Sequence, residues 1–114
     1  MKPLEHEINL LHSRLCAGLA DPKRILILYM LSEGMLNVTE LSESLEMPQP
    51  TVSRHLKMLR ERHLVDHTRE GTSVYYSISD ERIIQALDLL RAVLADQLQE
   101  QADLAKSVTE TLSE

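Results

Sequence analysis

The chain contains no phenylalanine and no tryptophan, so any core has to be built from Leu, Ile, Val and Met. Its single cysteine, Cys16, excludes an intrachain disulfide and a Cys-rich zinc site within one chain. Long apolar runs are also missing. The longest, Ile25 to Leu31, is seven residues, against the roughly 20 that a membrane span needs. The opening Met1-Lys-Pro-Leu-Glu-His-Glu carries acids and lacks a signal peptide's apolar stretch, which predicts a cytoplasmic protein with no membrane contact. No repeats, Gly/Ser linkers or low-complexity segments interrupt the 114 residues, a length that fits one domain. A monomer of that size buries only about two-thirds of its unfolded surface. There is no Ser/His/Asp set, no Gly-rich phosphate loop and no clustered carboxylate pair, so neither an enzyme nor a cofactor is expected.

The net charge of −6 by itself argues against a nucleic-acid partner, but its distribution reverses that reading. Residues 1–47 carry four Lys/Arg against seven acids, and residues 76–114 carry three against eight. Residues 48–75 carry five, Arg54, Lys57, Arg60, Arg62 and Arg69, against Glu61, Asp66 and Glu70. This only positive third also holds three of the five histidines. It opens with a proline pair, in the stretch MPQPTVSRHL of residues 47–56.

Spacing places the elements. Leu4, Ile8, Leu11, Leu15 and Leu19 recur every three or four positions and predict a helix over 4–19. Asp21-Pro22 restarts the chain as N-cap and first helical residue; the second helix runs through Ile25, Leu28 and Leu31 to Gly34. Asn37 with Glu40 makes a capping-box start for a third helix, which Pro48 cuts. A fourth begins at the proline pair, where missing N–H groups cost little. On a helical wheel Val52, Leu56 and Leu59 form its buried stripe, Pro50, Ser53, Arg54, Lys57 and Glu61 face solvent, and His55 sits at the stripe's edge. After Leu64 the period falls to two: Val65, His67 and Arg69, then Val74, Tyr76 and Ile78, predict a β-hairpin around Glu70-Gly71-Thr72. A last helix over about 80–112 carries Ile83, Leu87, Leu90, Leu94 and Leu98 in register, and at 1.5 Å per residue it spans roughly 50 Å.

The expected fold is therefore mainly α with a small β-hairpin, in the order α-α-α-α-β-β-α: a winged helix-turn-helix. In that fold the second helix of the pair enters the major groove with its N-terminal residues at base edges. Pro48 and Pro50 fix where this helix begins, so its first side chains arrive pre-placed. The final helix has an apolar stripe with little remaining domain to cover it, and a second copy of the chain is the simplest cover.

The segments LADPKRILILYML, VTELSESLEMPQPTVSRHLKMLRERHLV and REGTSVYYSI together resemble the ArsR/SmtB family of bacterial winged-helix repressors. The resemblance covers about residues 19–80 and, more loosely, the flanking helices. It implies a homodimer built from the first and last helices, 1–19 and 80–112, on one winged-helix domain spanning 1–114. It also implies an inverted-repeat DNA operator and release by an inducer. Departures bear on that inducer. Many relatives carry a metal-binding Cys-x-Cys before the third helix, where this chain has Asn37-Val38-Thr39. Others bind zinc-type metals through histidines on the last helix, at positions held here by Arg82 and Val93, neither of which ligates a metal. The paired-thiol sensors place one cysteine where Tyr29 stands. No metal site is expected, and the inducer is unassigned.

Candidate DNA-contacting residues are Gln49, Thr51, Ser53, Arg54, His55 and Lys57 on the reading helix, with Arg69, Gly71 and Thr72 at the wing. Five have a plainer alternative: helix capping for Gln49 and Ser53, a solvated charge for Arg54 and Arg69, a half-buried structural imidazole for His55; Lys57 is expected at a phosphate rather than a base. Cys16 shares a helix face with His12, four residues before it. A packed, inert thiol, a redox or effector site, and a metal ligand completed by a second subunit are its three readings. A winged-helix adaptor that binds protein rather than DNA is the competing function; retention of Arg54 and Lys57 on the polar face weighs against it.

Overall fold

The computed structural model describes residues 2–113, which fall into two compact units divided between Glu81 and Arg82. In the first unit α1 (Lys2–Leu11) passes into a π-helical turn (His12–Cys16) and a short α2 (Ala17–Leu19). The π turn is a departure from the regular helix expected over 4–19. A wider turn accommodates an extra residue, and leucines every three or four positions do not exclude one. From Lys2 to Cys16 every residue is exposed.

The junction to α3 (Pro22–Ser32) is held by Asp21 and Arg24. The Asp21 carboxylate accepts the Lys23 N–H at 2.8 Å, and Pro22 takes the first helical position, as the Asp-Pro pair predicts. Arg24 reaches back to the end of α2, donating from Nε to the Gly18 carbonyl at 2.7 Å and from Nη2 to that of Ala17 at 3.2 Å. Gly18 is buried, and a Cβ there would lie 2.5 Å from Leu64 Cδ1. Since Leu64 is itself fully buried, only glycine permits this approach. The buried side chains of α3 are Ile27, Leu28 and Leu31, so the face is turned slightly from the expected Ile25-Leu28-Leu31 line.

Leu36–Asn37 form β1, a third strand that sequence periodicity does not show. It pairs antiparallel with β3 (Ser73–Ile78), which pairs in turn with β2 (Val65–Glu70), giving the order β1-β3-β2. Asn37 then caps α4 (Val38–Leu45): its Oδ1 accepts the Glu40 N–H at 2.8 Å while Glu40 Oε1 accepts the Asn37 N–H at 3.0 Å. Both halves of the capping box are present.

The core packs Ile27 and Leu28 of α3 and Leu41 of α4 with Val52, Leu56 and Leu59 of α5 (Gln49–Glu61), plus Leu64 and Val65 beyond it. The second unit is one helix, α6 (Arg82–Ser113), on which Ile84 and Leu87 are buried. Its buried face therefore begins at Ile84 rather than Ile83. Every residue from Asp88 to Ser113 is exposed.

Candidate nucleic-acid interface

The α4–α5 turn is tight because its backbone groups are answered locally. Glu46 takes a left-handed conformation (φ 53°), the Met47 N–H donates to the Ser42 carbonyl at 3.1 Å, and the Ser42 hydroxyl donates back to the Met47 carbonyl. Pro48 is the N-cap of α5 and its carbonyl accepts the N–H groups of Thr51 and Val52 at 3.0 and 3.1 Å. A helix ordinarily leaves four N–H groups without intrahelical acceptors at its start. Here Pro48 and Pro50 carry no N–H and Thr51 bonds the Pro48 carbonyl, so of these four positions Gln49 is the one whose N–H the helix itself leaves without an acceptor. The proline pair gives this helix a defined first turn without a capping side chain.

Behind that start, Val52, Leu56 and Leu59 are fully buried while Gln49, Pro50, Ser53, Arg54, Lys57 and Glu61 are exposed, matching the expected wheel. Two of these exposed side chains reach threonine hydroxyls. Gln49 Nε2 donates to Thr39 Oγ1 on α4 at 3.4 Å, and Arg54 Nη2 donates to Thr51 Oγ1 at 3.4 Å. Thr51 is half-buried, placed to steer Arg54 more than to reach outward itself. Thr39 is a neighbour of Gln49 that sequence reasoning missed; no local pattern marks a contact spanning ten residues.

His55 is half-buried at the edge of the stripe. Burial is the main cause holding its pKa below the usual 6.5, with the Asp21 carboxylate opposing and Arg24, Lys23 and Arg54 reinforcing the shift. The imidazole is thus neutral at pH 7 and offers no positive charge to a phosphate. Asp21 has a lowered pKa, chiefly from the Lys23 backbone N–H it accepts.

Not every positive charge of residues 48–75 belongs to this face. Arg62 donates from Nη1 to the Ser13 carbonyl and from Nε to Met58 Sδ at 3.0 Å, tying the end of α5 to the π turn. His63 takes the left-handed position (φ 60°) after α5, where glycine is the usual occupant. Leu64 N then bonds the Leu59 carbonyl at 2.9 Å, and Ser79 Oγ donates to the His63 carbonyl at 2.7 Å. Both residues serve the architecture.

The hairpin forms as predicted. Glu70 pairs with Ser73 around the two-residue turn Gly71-Thr72, and Gly71 has φ +63°, a conformation that favours glycine. Arg69, Gly71 and Thr72 are all exposed at its tip, and the rings of His67 and Tyr76 lie across the strands at 6.4 Å. The expected in–out alternation is not visible in burial. Val65 alone on β2 is buried and β3 is half-buried throughout, because the hairpin projects from the core.

Cys16 is free and exposed on this chain, ending the π turn that His12 begins, so the packed-thiol reading does not hold within the chain itself. Among the described residues no group of three or more His, Cys, Asp or Glu is placed to hold a metal ion. No helix among them is long and apolar enough to cross a membrane.

A helix pair joined by a tight turn, its second member exposing amide, hydroxyl and basic side chains, followed by a hairpin with an arginine near its tip, defines a winged helix-turn-helix. The family model described as the bacterial regulatory protein, arsR family, matches residues 21–67. The chain is 37% identical over 76 residues to the transcriptional activator HlyU of Vibrio cholerae, covering 67% of this chain and 70% of HlyU. It belongs to the arsR family. It is also 44% identical over 71 residues to the HTH-type transcriptional regulator NmtR of Mycobacterium tuberculosis, covering 62% of this chain and 59% of NmtR. The chain thus spans under two-thirds of the length of NmtR, and about half that of KmtR, a second HTH-type transcriptional regulator of Mycobacterium tuberculosis. Among solved structures, the homodimeric winged helix-turn-helix DNA-binding domain of Mb0332 from Mycobacterium bovis is similar at a TM-score of 0.76 and 27% identity, covering 88% of this chain and 92% of that one.

Proposed function

We propose that the protein is a sequence-specific DNA-binding transcriptional regulator of the cytoplasm, a homodimer that represses from an inverted-repeat operator and is released by an inducer. The observation that carries this reading is the exposed face of α5, where Gln49, Ser53, Arg54 and Lys57 stand opposite a fully buried stripe. In the major groove, arginine takes guanine bidentately and glutamine takes adenine, while lysine adds phosphate affinity. Arg69 and Thr72 at the exposed wing suit the adjacent backbone. The dimer is supported by the exposed leucines of α1 and α6 and by the homodimeric state of Mb0332. Residues 1–19 and 80–112 are its dimerisation helices, and the two copies of α5 address major-groove faces about 34 Å apart. Cys16, the single thiol and an exposed one, is where a soft metal or an oxidant would act if release proceeds through sulfur.

The test is binding to duplexes selected from a random pool, in parent and variants. Arg54→Ala is expected to lose about 1–3 kcal/mol on the selected duplex and much less on random DNA. Lys57→Ala is expected to weaken both alike and to reduce the salt dependence by about one unit. Equal loss on both duplexes for Arg54→Ala removes it from base reading. Failure of the parent to bind any duplex transfers the fold to the adaptor reading.

A further inference from the structure

We infer that Thr39, on the first helix of the pair, is a positioning residue for Gln49, and that together they set a preference for an A·T pair in the operator. The inference rests on the DNA-reading function proposed above and adds one specificity determinant to it. Gln49 is the first residue of α5, so its side chain leaves the helix at the end that meets bases first. An unrestrained glutamine at such a place samples several rotamers and presents its amide either way round. Here Nε2 donates to Thr39 Oγ1 at 3.4 Å, across the turn between the two helices. The turn itself is fixed by Ser42, Glu46 and Met47, and Thr39 sits in the first turn of a helix locked by the Asn37/Glu40 capping box. The backbone that carries this hydroxyl is therefore fixed.

The chemistry of the amide gives this contact a consequence. Nε2 carries two hydrogens, and adenine is read by the edge that presents Oε1 with the N–H beside it, accepting from N6–H and donating to N7. The hydrogen pointing away from Oε1 is not used in that pairing. Donation to Thr39 through that hydrogen orients the carboxamide and leaves the reading edge open. A guanine at the same place presents two acceptors and no donor for Oε1, so an amide held this way discriminates where a freely rotating one adapts.

The experiment enriches duplexes from a random pool with the parent chain, then measures affinities for the best duplex, for its copies substituted one base pair at a time, and for a random duplex. Gln49→Ala should abolish the preference at one A·T pair. Thr39→Val, which exchanges the hydroxyl for a methyl on an exposed helix position, should weaken the preference at the same pair by about two- to ten-fold, the worth of one hydrogen bond, with binding to the random duplex unchanged. Thr39→Ser should keep the parent's preference, and Thr39→Val added to Gln49→Ala should change nothing further. Equal weakening of all duplexes by Thr39→Val makes it a phosphate contact and overturns the inference, as does an undiminished preference at that pair. A parent chain that enriches no duplex overturns the DNA-reading function itself, a result distinct from either.

Discussion

Leu56 and Leu94 belong to leucine stripes of nearly the same period, yet Leu56 is completely buried while Leu94 is 54% exposed. The difference lies in what each helix meets. The stripe of α5 faces Ile27, Leu28 and Leu41 from α3 and α4, and Leu64 and Val65 close it behind. Along α6 the apolar side chains past Leu87, namely Leu89, Leu90, Val93, Leu94, Leu98, Leu104, Val108 and Leu112, remain open to water, as do Leu4, Ile8 and Leu11 on α1. Periodicity reports that a face is apolar; it does not report whether the same chain covers it. The α5 stripe is a core, and the other two are exposed apolar faces.

The comparison can be broken most forcefully by truncating one leucine from each region. Leu56→Ala should destabilise the fold by about 2–5 kcal/mol, the lost burial plus the cavity left behind, measured by urea unfolding. Leu104→Ala, at a position 67% exposed, should stay within about 0.5 kcal/mol under conditions where the chain is monomeric. Comparable losses at both sites would mean that α6 is packed within the chain and that the contrast between regions is false.

A charge on the open face sharpens the same contrast. Leu94→Glu leaves α3, α4 and α5 untouched, so the far-ultraviolet spectrum should be that of the parent. Its effect should fall on assembly: a monomer mass by light scattering at micromolar concentration, and an operator affinity lower by about 100-fold once two half-sites no longer act together. A variant that stays dimeric moves the seam away from Leu94.

The helix-turn-helix was legible because its signals are local. Asp21-Pro22, the Asn37/Glu40 pair, the break at Pro48 and the Val52-Leu56-Leu59 stripe each act over a few residues, and each stands where the spacing put it. What escaped depends on partners. A two-residue strand such as Leu36–Asn37 has no period of its own and exists only as the neighbour of Tyr75 and Tyr76. His63 ends α5 in a conformation for which glycine is the sequence signal, so its role could not be read from its type. Nothing local to Gly18 marks it, because its constraint comes from Leu64, far along the chain, which lies against it. Of the candidate site, the reading face was legible as a pattern, whereas the two threonine contacts and the diversion of Arg62 to Ser13 needed coordinates.

The smallest expected effect concerns His55, which stands on the border between the buried stripe and the reading face. Its folded pKa lies below 6.5, mainly because burial disfavours the charged ring. The unfolded chain therefore binds this proton more readily, and protonation favours unfolding. The stability tied to the neutral imidazole is complete above about 6.5, and it is lost as pH falls from there through the depressed folded value. Asp21 works against the shift, and its own lowered pKa keeps it charged throughout this window, since it titrates below 3.8. Replacing His55 with Gln removes the titration and keeps a polar side chain of similar reach. The urea midpoint of the parent should accordingly fall more between about pH 7.5 and 5.5 than that of His55→Gln. If the two fall in parallel, the imidazole is as well solvated in the folded chain as in the unfolded one, and the boundary of the core lies inside His55 rather than at it.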